Sequence, residues 1–472
     1  MSLDWKDVLR LRQTCKHLSQ VTREKSIWVR FFHVFNVFHP WSPLRLERPL
    51  QFYTAQELEH LVVRRTNEEL RRKTRTKLRF SLIRRLPLRK SEIRALTLIN
   101  GGRWLLTVSR FGSVSYYDLE TQEPVKRVLI PAPQLGSPDG QCTAKIAVDM
   151  DYESALLSFN LALYIRKVHM STRVPIQLIQ VWHVTLELDD QNHGRSLSAK
   201  RLSSFYRENC GELQCLSLLG TFVAFGVITR PPQPSYVSVV DWAKAANIHN
   251  PSHRRPATSL SYLRKVIYCH NPGELVRVVV HLLPGNRILV VSESTQASII
   301  CLYDMLSIET TANIPPANFS HSSSPTWEHK WQTCLGSFQS HGCANRFNDF
   351  RLVFHTTYTL YGITIPCDSG EDGLQPELVK LMTGHSSFEN VSHLGYNSAI
   401  VMDTHSPLLY MLHYPWPDAS SGSASGPSNS VVGIFDKKNW RRPKYSAFDE
   451  CSGRLVVDTG LNEVVVYDFA RS

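Results

Sequence analysis

Histidine and cysteine are the side chains best suited to proton transfer, nucleophilic attack or metal binding, and their spacing in this chain assembles none of these. The nineteen histidines are scattered. His355 sits inside the apolar run FRLVFH, where a hydrogen-bonded core histidine is the expected role. The ten cysteines include no Cys-x-x-Cys. Cys210 and Cys215 have four residues between them, with no second close pair to complete a zinc site. Asp149, Asp151 and the pair Asp189-Asp190 fall at strand ends or in loops, where turn chemistry accounts for a carboxylate. There is no Walker A loop, no G-x-G-x-x-G after a strand, no H-E-x-x-H and no G-x-S-x-G. The expectation is a binding protein with no catalytic residues, no cofactor and no metal.

The elements that would position a binding surface come next. Before residue 78 the chain reads as helical. Val8, Leu11, Cys15 and Leu18 recur at spacings of three and four, which predicts one helix with these residues on one face. Ser26-Ile27-Trp28 then opens a second helix carrying Phe31, Phe32 and Phe35. A unit this small buries little alone and needs a partner surface. Further on, Thr54-x-x-Glu57 has the form of a capping box. It opens an amphipathic helix with Leu58, Leu61, Val62 and Leu70 that runs to about Thr74.

Residues 9–32 resemble the C-terminal half of an F-box. The matching residues are Asp7-Val8-Leu9, Thr14-Cys15-Lys16, Leu18, and Ile27-Trp28 after the charged turn Arg23-Glu24-Lys25. The family's upstream half, with its Leu-Pro dipeptide and apolar helix, would precede Met1, so the motif is an N-terminally truncated one. F-box proteins dock on the Skp-type adaptor of cullin-based ubiquitin ligases. The resemblance implies adaptor-facing roles for Val8, Leu9, Leu11, Cys15, Leu18, Ile27 and Trp28.

From about residue 78 short β-branched and aromatic runs recur every ten residues or so between Gly, Asn, Asp and Pro, which argues an all-β region. RALTLI, GGRWLLTVSR, GSVSYYDLET and PVKRVLIP make four strands in sequence. The third ends in Tyr117-Asp118. Similar endings return at Trp182-His183, Val240-Asp241, Tyr303-Asp304 and Tyr467-Asp468, with two weaker units in 350–365 and 398–414. The tyrosines at these ends are expected to pack between sheets. This region resembles a WD-type β-propeller, here with about seven blades and long loops at 189–200, 243–260, 311–327, 366–376 and 415–430. The last unit, KYSAFDE, GRLVVD and EVVVYDF, lacks a fourth strand. KLRFSLIRRL (77–86), alternating from 78 to 82 and ended by Pro87, would supply it and close the ring.

The fold class is therefore multidomain and mainly β: an F-box-like helical module over 1–40, a helical basic linker over 41–76, and a propeller over 77–472. A pair of β-sandwiches is the structural alternative. The net charge of +12 sits mostly in 61–94, where thirteen Lys and Arg stand against three Glu. That stretch reads first as a solvated helix face followed by an edge strand. A surface for an acidic partner, or for nucleic acid or nuclear import, are the other readings. With Phe80 its only aromatic, stacking on bases has no support, and nucleic acid is not the expected partner.

No run of 18 or more apolar residues occurs and no signal peptide is visible, so no membrane association is expected. Cysteines within apolar runs, such as Cys215 in LQCLSLL and Cys301 in SIICLYD, point to buried reduced thiols and a cytoplasmic or nuclear location. Joined, the two resemblances imply a substrate receptor of an SCF-type E3 ubiquitin ligase that holds an unidentified target protein on its propeller. The alternatives are a propeller scaffold without a ubiquitin role, and an enzyme with polar groups converging in the central channel.

Overall fold

The structure is a computed structural model. It describes residues 4–468 apart from 39–43, 45, 74–80, 88–92, 134–140, 169–174, 208–210, 231–232, 246–261, 270–273, 313–323, 332–337, 342–348, 357, 368–374, 384–390, 403–407, 415, 417–427, 435–444 and 459–462.

Four helices come first: α1 (Trp5–Arg12), α2 (Lys16–Val21), α3 (Lys25–Phe38) and α4 (Ala55–Lys73). The single helix predicted over Val8–Leu18 is two. Thr14 Oγ1 bonds the Leu11 carbonyl at 2.8 Å, satisfying an end carbonyl of α1. Cys15 is extended and caps α2, its Sγ accepting from Leu18 N at 3.5 Å. The predicted box before α4 is present, with Thr54 N donating to Glu57 Oε2 at 2.8 Å and Glu57 N to Thr54 Oγ1 at 3.2 Å.

Then come β1 (Ser81–Pro87) and seven radially arranged sheets, so the sandwich alternative is set aside. Blade 1 is β2 (Ile93–Leu98), β3 (Trp104–Ser109), β4 (Val114–Asp118) and β5 (Arg127–Ile130). Blade 2 is β6 (Gln141–Asp151), β7 (Ser158–Val168), β8 (Pro175–Leu188) and β9 (Gly194–Tyr206). Blade 3 is β10 (Glu212–Leu219), β11 (Phe222–Ile228), β12 (Tyr236–Asp241) and β13 (Arg264–Tyr268). Blade 4 begins with β14 (Leu275–Leu283), β15 (Arg287–Ser294) and β16 (Ser298–Asp304). A short β17 (Thr310–Thr311) returns to pair with β13, and β18 (Trp327–Trp331) completes blade 4. Blade 5 is β19 (Phe338–His341), β20 (Asp349–His355), β21 (Thr359–Pro366) and β22 (Glu377–Thr383). Blade 6 is β23 (Val391–Leu394), β24 (Ser398–Met402), β25 (Leu408–His413) and β26 (Ser428–Ile434). Blade 7 is β27 (Ser446–Asp449), β28 (Arg454–Asp458) and β29 (Glu463–Asp468), with β1 as its outer strand.

The core lies between blades. Trp104, Leu106 and Val108 of blade 1 meet Phe159, Leu161 and Leu163 of blade 2. Val279 and Val291 of blade 4 meet Leu352 and Ile363 of blade 5. Each sheet therefore buries both faces, so its strands read as near-continuous apolar runs. Tyr117, Tyr303 and Tyr467 are buried as expected. Trp182-His183 does not end a strand: β8 continues to Leu188, and Trp182 pairs mid-strand with Leu161 and Arg201. The predicted loop 189–200 is a short turn followed by β9. Its Ser, Lys and Arg are polar because β9 is an outer strand. The predicted loops over 243–260, 311–327, 366–376 and 415–430, and residues 77–80, lie wholly or partly outside the described residues.

β1 runs antiparallel to β29, with Leu86 opposite Val464, Pro87 opposite Glu463, and an irregularity between Leu82 and Arg84. Pro87 stays within the strand, which an outermost position permits. Asp468 at the end of β29 is fully buried. Its Oδ2 accepts from Arg64 of α4 at 2.8 Å and from Arg454 of β28 at 3.3 Å. Arg454 also reaches Glu120 at 2.9 Å and donates to the Gly102 carbonyl at 2.6 Å. Gly102 has φ +70, and a Cβ there would lie 2.0 Å from Ser452 Oγ. Only glycine lets these two turns approach so closely.

The second tie is Glu47. Its carboxylate accepts from Arg103 at 2.7 Å and Trp104 Nε1 at 3.0 Å, and its carbonyl accepts from Leu157 N at 2.7 Å. Burial pushes the Glu47 carboxyl up and Arg103 opposes this. Arg103 in turn holds Asp118 at 2.7 Å and the Gly194 carbonyl at 2.7 Å. Arg65 donates to the Glu450 carbonyl at 2.8 Å. These partners lie on one face of the ring, where the first-to-second and third-to-fourth strand turns gather. The helices thus sit on blades 7, 1 and 2.

Removing one member of a buried ion pair leaves an uncompensated charge, so Asp468→Ala is expected to cost about 3–5 kcal/mol. Urea unfolding measures this, and a loss under about 1 kcal/mol would show that the seam does not depend on Asp468.

Candidate functional site

Two surfaces are candidates: the outside of the helical module, and the ring face opposite it. The module's own core is Val8, Trp28, Phe32, Leu58 and Val62. Trp28 is fully buried, and its Nε1 donates to the Thr22 carbonyl at 3.1 Å. Arg12 lies over the Trp28 ring at 5.8 Å and grips Glu59 at 2.6 and 2.9 Å. That pair fixes α1 to α4 and has no counterpart in the periodicity.

The structure separates the seven residues of the F-box-like pattern. Val8 and Trp28 are core residues of the module, and Leu9 and Ile27 pack half-buried against that core. Leu11 and Leu18 are half-buried and Cys15 is exposed. Val21, Val34 and Val37 are also exposed, at 41, 40 and 57%. Val21 ends α2 and Val34 and Val37 lie on α3, and nothing in the apolar spacing marks these valines as exposed.

Between module and ring lies a cavity of about 790 Å³. Its lining balances Glu47, Glu57, Glu59 and Glu120 against Arg48, Arg64, Arg65 and Arg103. Equal charge of both signs gives no preference for an anionic or cationic ligand. The cavity is a polar joint between two bodies.

Around the channel, the inner strands carry cations tied to the next blade. Arg94 of β2 donates to the Cys142 carbonyl at 3.1 Å, and Lys145 of β6 to the Gln214 carbonyl at 2.5 Å. His393 of β23 meets Ser446 Oγ at 2.8 Å. Burial lowers the Lys145 and His355 pKa values; His355 Nδ1 lies 3.0 Å from the Thr356 carbonyl. Asp151 and Asp189 serve turns, accepting from Glu153 N at 3.1 Å and His193 N at 2.8 Å respectively. Asp149 accepts from Gly220 N of blade 3 at 2.8 Å. Among the described residues no group of three or more His, Cys, Asp or Glu could hold a metal ion.

Cys215, Cys269 and Cys301 share the core between blades 3 and 4. Burial pushes the Cys215 and Cys301 thiols up to about 11. None of the described cysteines forms a disulfide. Cys210, Cys334 and Cys343 lie outside the described residues.

The opposite face carries the second-to-third strand turns and the crossings between blades. Phe111, with Arg110 over its ring at 4.5 Å, is 43% exposed in the β3–β4 turn. Tyr358, before β21, and Val276, in β14, are more than half exposed. Aromatic side chains and arginine are enriched where proteins bind proteins. Of the basic stretch, Arg64 and Arg65 are spent on the ring and Arg94 on blade 2. Lys77, Arg79, Arg89 and Lys90 lie outside the described residues.

No family model matches the sequence, and no curated protein does. Among solved structures the chain is similar to the β-propeller domain of Cps50 (Swd1) from Myceliophteria thermophila. Identity is 11% and the TM-score 0.44, over 82% of this chain and 99% of that one. It is also similar to the computationally designed Ika8 protein, at 12% identity and a TM-score of 0.38, over 83% and 99% of the two chains.

Glu293 of β15 is buried opposite Arg277 at 3.7 Å, and burial raises its carboxyl from 4.5 to about 7 against the pull of that arginine. The folded state therefore holds this proton more tightly than the unfolded chain. Stability falls as pH rises from about 4.5 through about 7. Glu293→Gln is expected to remove that decline, seen as a growing stability advantage over wild type in thermal melts between pH 5 and 8. Parallel curves would show an ordinary carboxyl.

Proposed function

We propose that this chain is the substrate-recognition subunit of an SCF-type E3 ubiquitin ligase. Its helical module docks on a Skp-type adaptor and its ring holds a target protein on the open face. The observation that carries the reading is the placement of the F-box-like helices. They are bolted to one face of a seven-bladed ring by Arg64–Asp468 and Arg103–Glu47, which leaves the other face available. A receptor of this kind performs no chemistry. It raises the local concentration of a target's lysines near the charged conjugating enzyme, and a rigid joint keeps that distance fixed. Residues available to an adaptor are Leu11, Cys15 and Leu18. The cytoplasm or nucleus is the matching location.

A second reading, a protein-binding scaffold without a ubiquitin role, is favoured by one observation. Val8 and Trp28 are consumed by the module's own core, so internal packing accounts for part of the pattern.

Purified full chain mixed with a Skp-type adaptor separates the two. Retention of the adaptor in size-exclusion chromatography, weakened at least about tenfold by Leu11→Glu with Leu18→Glu, is expected; such a loss corresponds to about 1.4 kcal/mol. Circular dichroism should be unchanged by the pair, since both side chains are only half-buried. Absence of adaptor binding by the wild-type chain favours the scaffold.

A further inference from the structure

The outer edge of blade 2 differs from those of the other blades. β9 runs 13 residues, whereas the outermost strands elsewhere run from 2 to 7. It ends the sheet order β6-β7-β8-β9, and among the described residues no strand pairs with its other side. An unpaired edge presents a row of backbone N–H and C=O groups to any extended chain of matching register. Irregularities at Val181/Trp182 and Glu187/Leu188 bracket a regular run, in which Ser196 pairs with Glu187 and Arg201 with Trp182. At one end, beside the irregularity, Arg127 of β5 donates to the Arg195 carbonyl at 3.2 Å.

Charge selects the occupant. β9 contains Arg195, Lys200 and Arg201 and no carboxylate, and all three are exposed. Arg195 sits near Asp189, while the side chains of Lys200 and Arg201 have no hydrogen bond or ion pair among the described residues. Cations on an edge keep two like edges apart, which disfavours a second copy of this chain. The same cations attract a strand of opposite charge, and cross-strand opposite charges stabilise pairing. We propose that β9 accepts an extended acidic segment of a partner protein as a fifth strand of blade 2, along Ser196–Arg201. This site is independent of the adaptor-facing helices and of the open ring face.

Three labelled peptides test it with the full chain at low ionic strength: acetyl-Thr-Glu-Val-Glu-Val-Glu-Thr-amide, its lysine counterpart, and the acidic peptide N-methylated at alternate backbone nitrogens. Fluorescence anisotropy is expected to show binding of the acidic peptide, weakened at least about tenfold by either change. Hydrogen exchange is expected to slow at 196–201. Lys200→Glu with Arg201→Glu should reverse the preference to the lysine peptide, and both positions are exposed, so the fold is retained. No binding of the acidic peptide, equal binding of the N-methylated one, or indifference to the double variant would each overturn the proposal.

Discussion

The buried contact of Arg454 with Asp468 is the constraint on which the rest of the structure depends. A ring of sheets is stable only if its last sheet is completed, and blade 7 takes its fourth strand from the other end of the chain. Backbone pairing of β1 with β29 supplies the hydrogen bonds. The carboxylate of Asp468 supplies the registration point, because it is shared by Arg454 of the same blade and Arg64 of α4. Two charges at 0 and 1% side-chain exposure are tolerated because Glu120 and the Gly102 carbonyl complete the arginine's bonding. Desolvation would otherwise outweigh the attraction. The seam and the helical module are therefore one mechanical unit.

That unit draws on part of the chain's basic stretch. The arginines of 61–94 read as a solvated basic face, and part of the stretch instead does structural work at the joint. Arg64 and Arg65 reach blade 7, and Arg94 crosses to blade 2. The same economy appears around the channel, where Lys145 and His393 bridge adjacent inner strands. These polar groups hold neighbouring sheets together.

Much of the ring is legible in the sequence, for a physical reason. Inner strands buried on both faces give long β-branched runs, and Asp118, Asp304 and Asp468 each end a third strand at the same place in the blade. β8 and β9 depart from the sequence pattern because blade 2 is longer than the repeat. Its outer strand is also polar enough to pass for a loop. The helical module was legible in its apolar spacing but not in its joints. Nothing in the periodicity marks Thr14 and Cys15 as a break. Glu47, alone in a polar linker, shows its role only when Arg103, Trp104 and Leu157 arrive from far along the chain. Periodicity reports which face is buried. It does not report which charge meets which across hundreds of residues.

Closure by β1 also sets an order of events during synthesis. The strand that completes the ring leaves the ribosome well before its partner β29. At about 5–20 residues per second the interval is roughly 20–80 s. Throughout it the edge of β1 that will pair with β29 has no partner strand, which makes it a template for wrong pairing until β29 emerges.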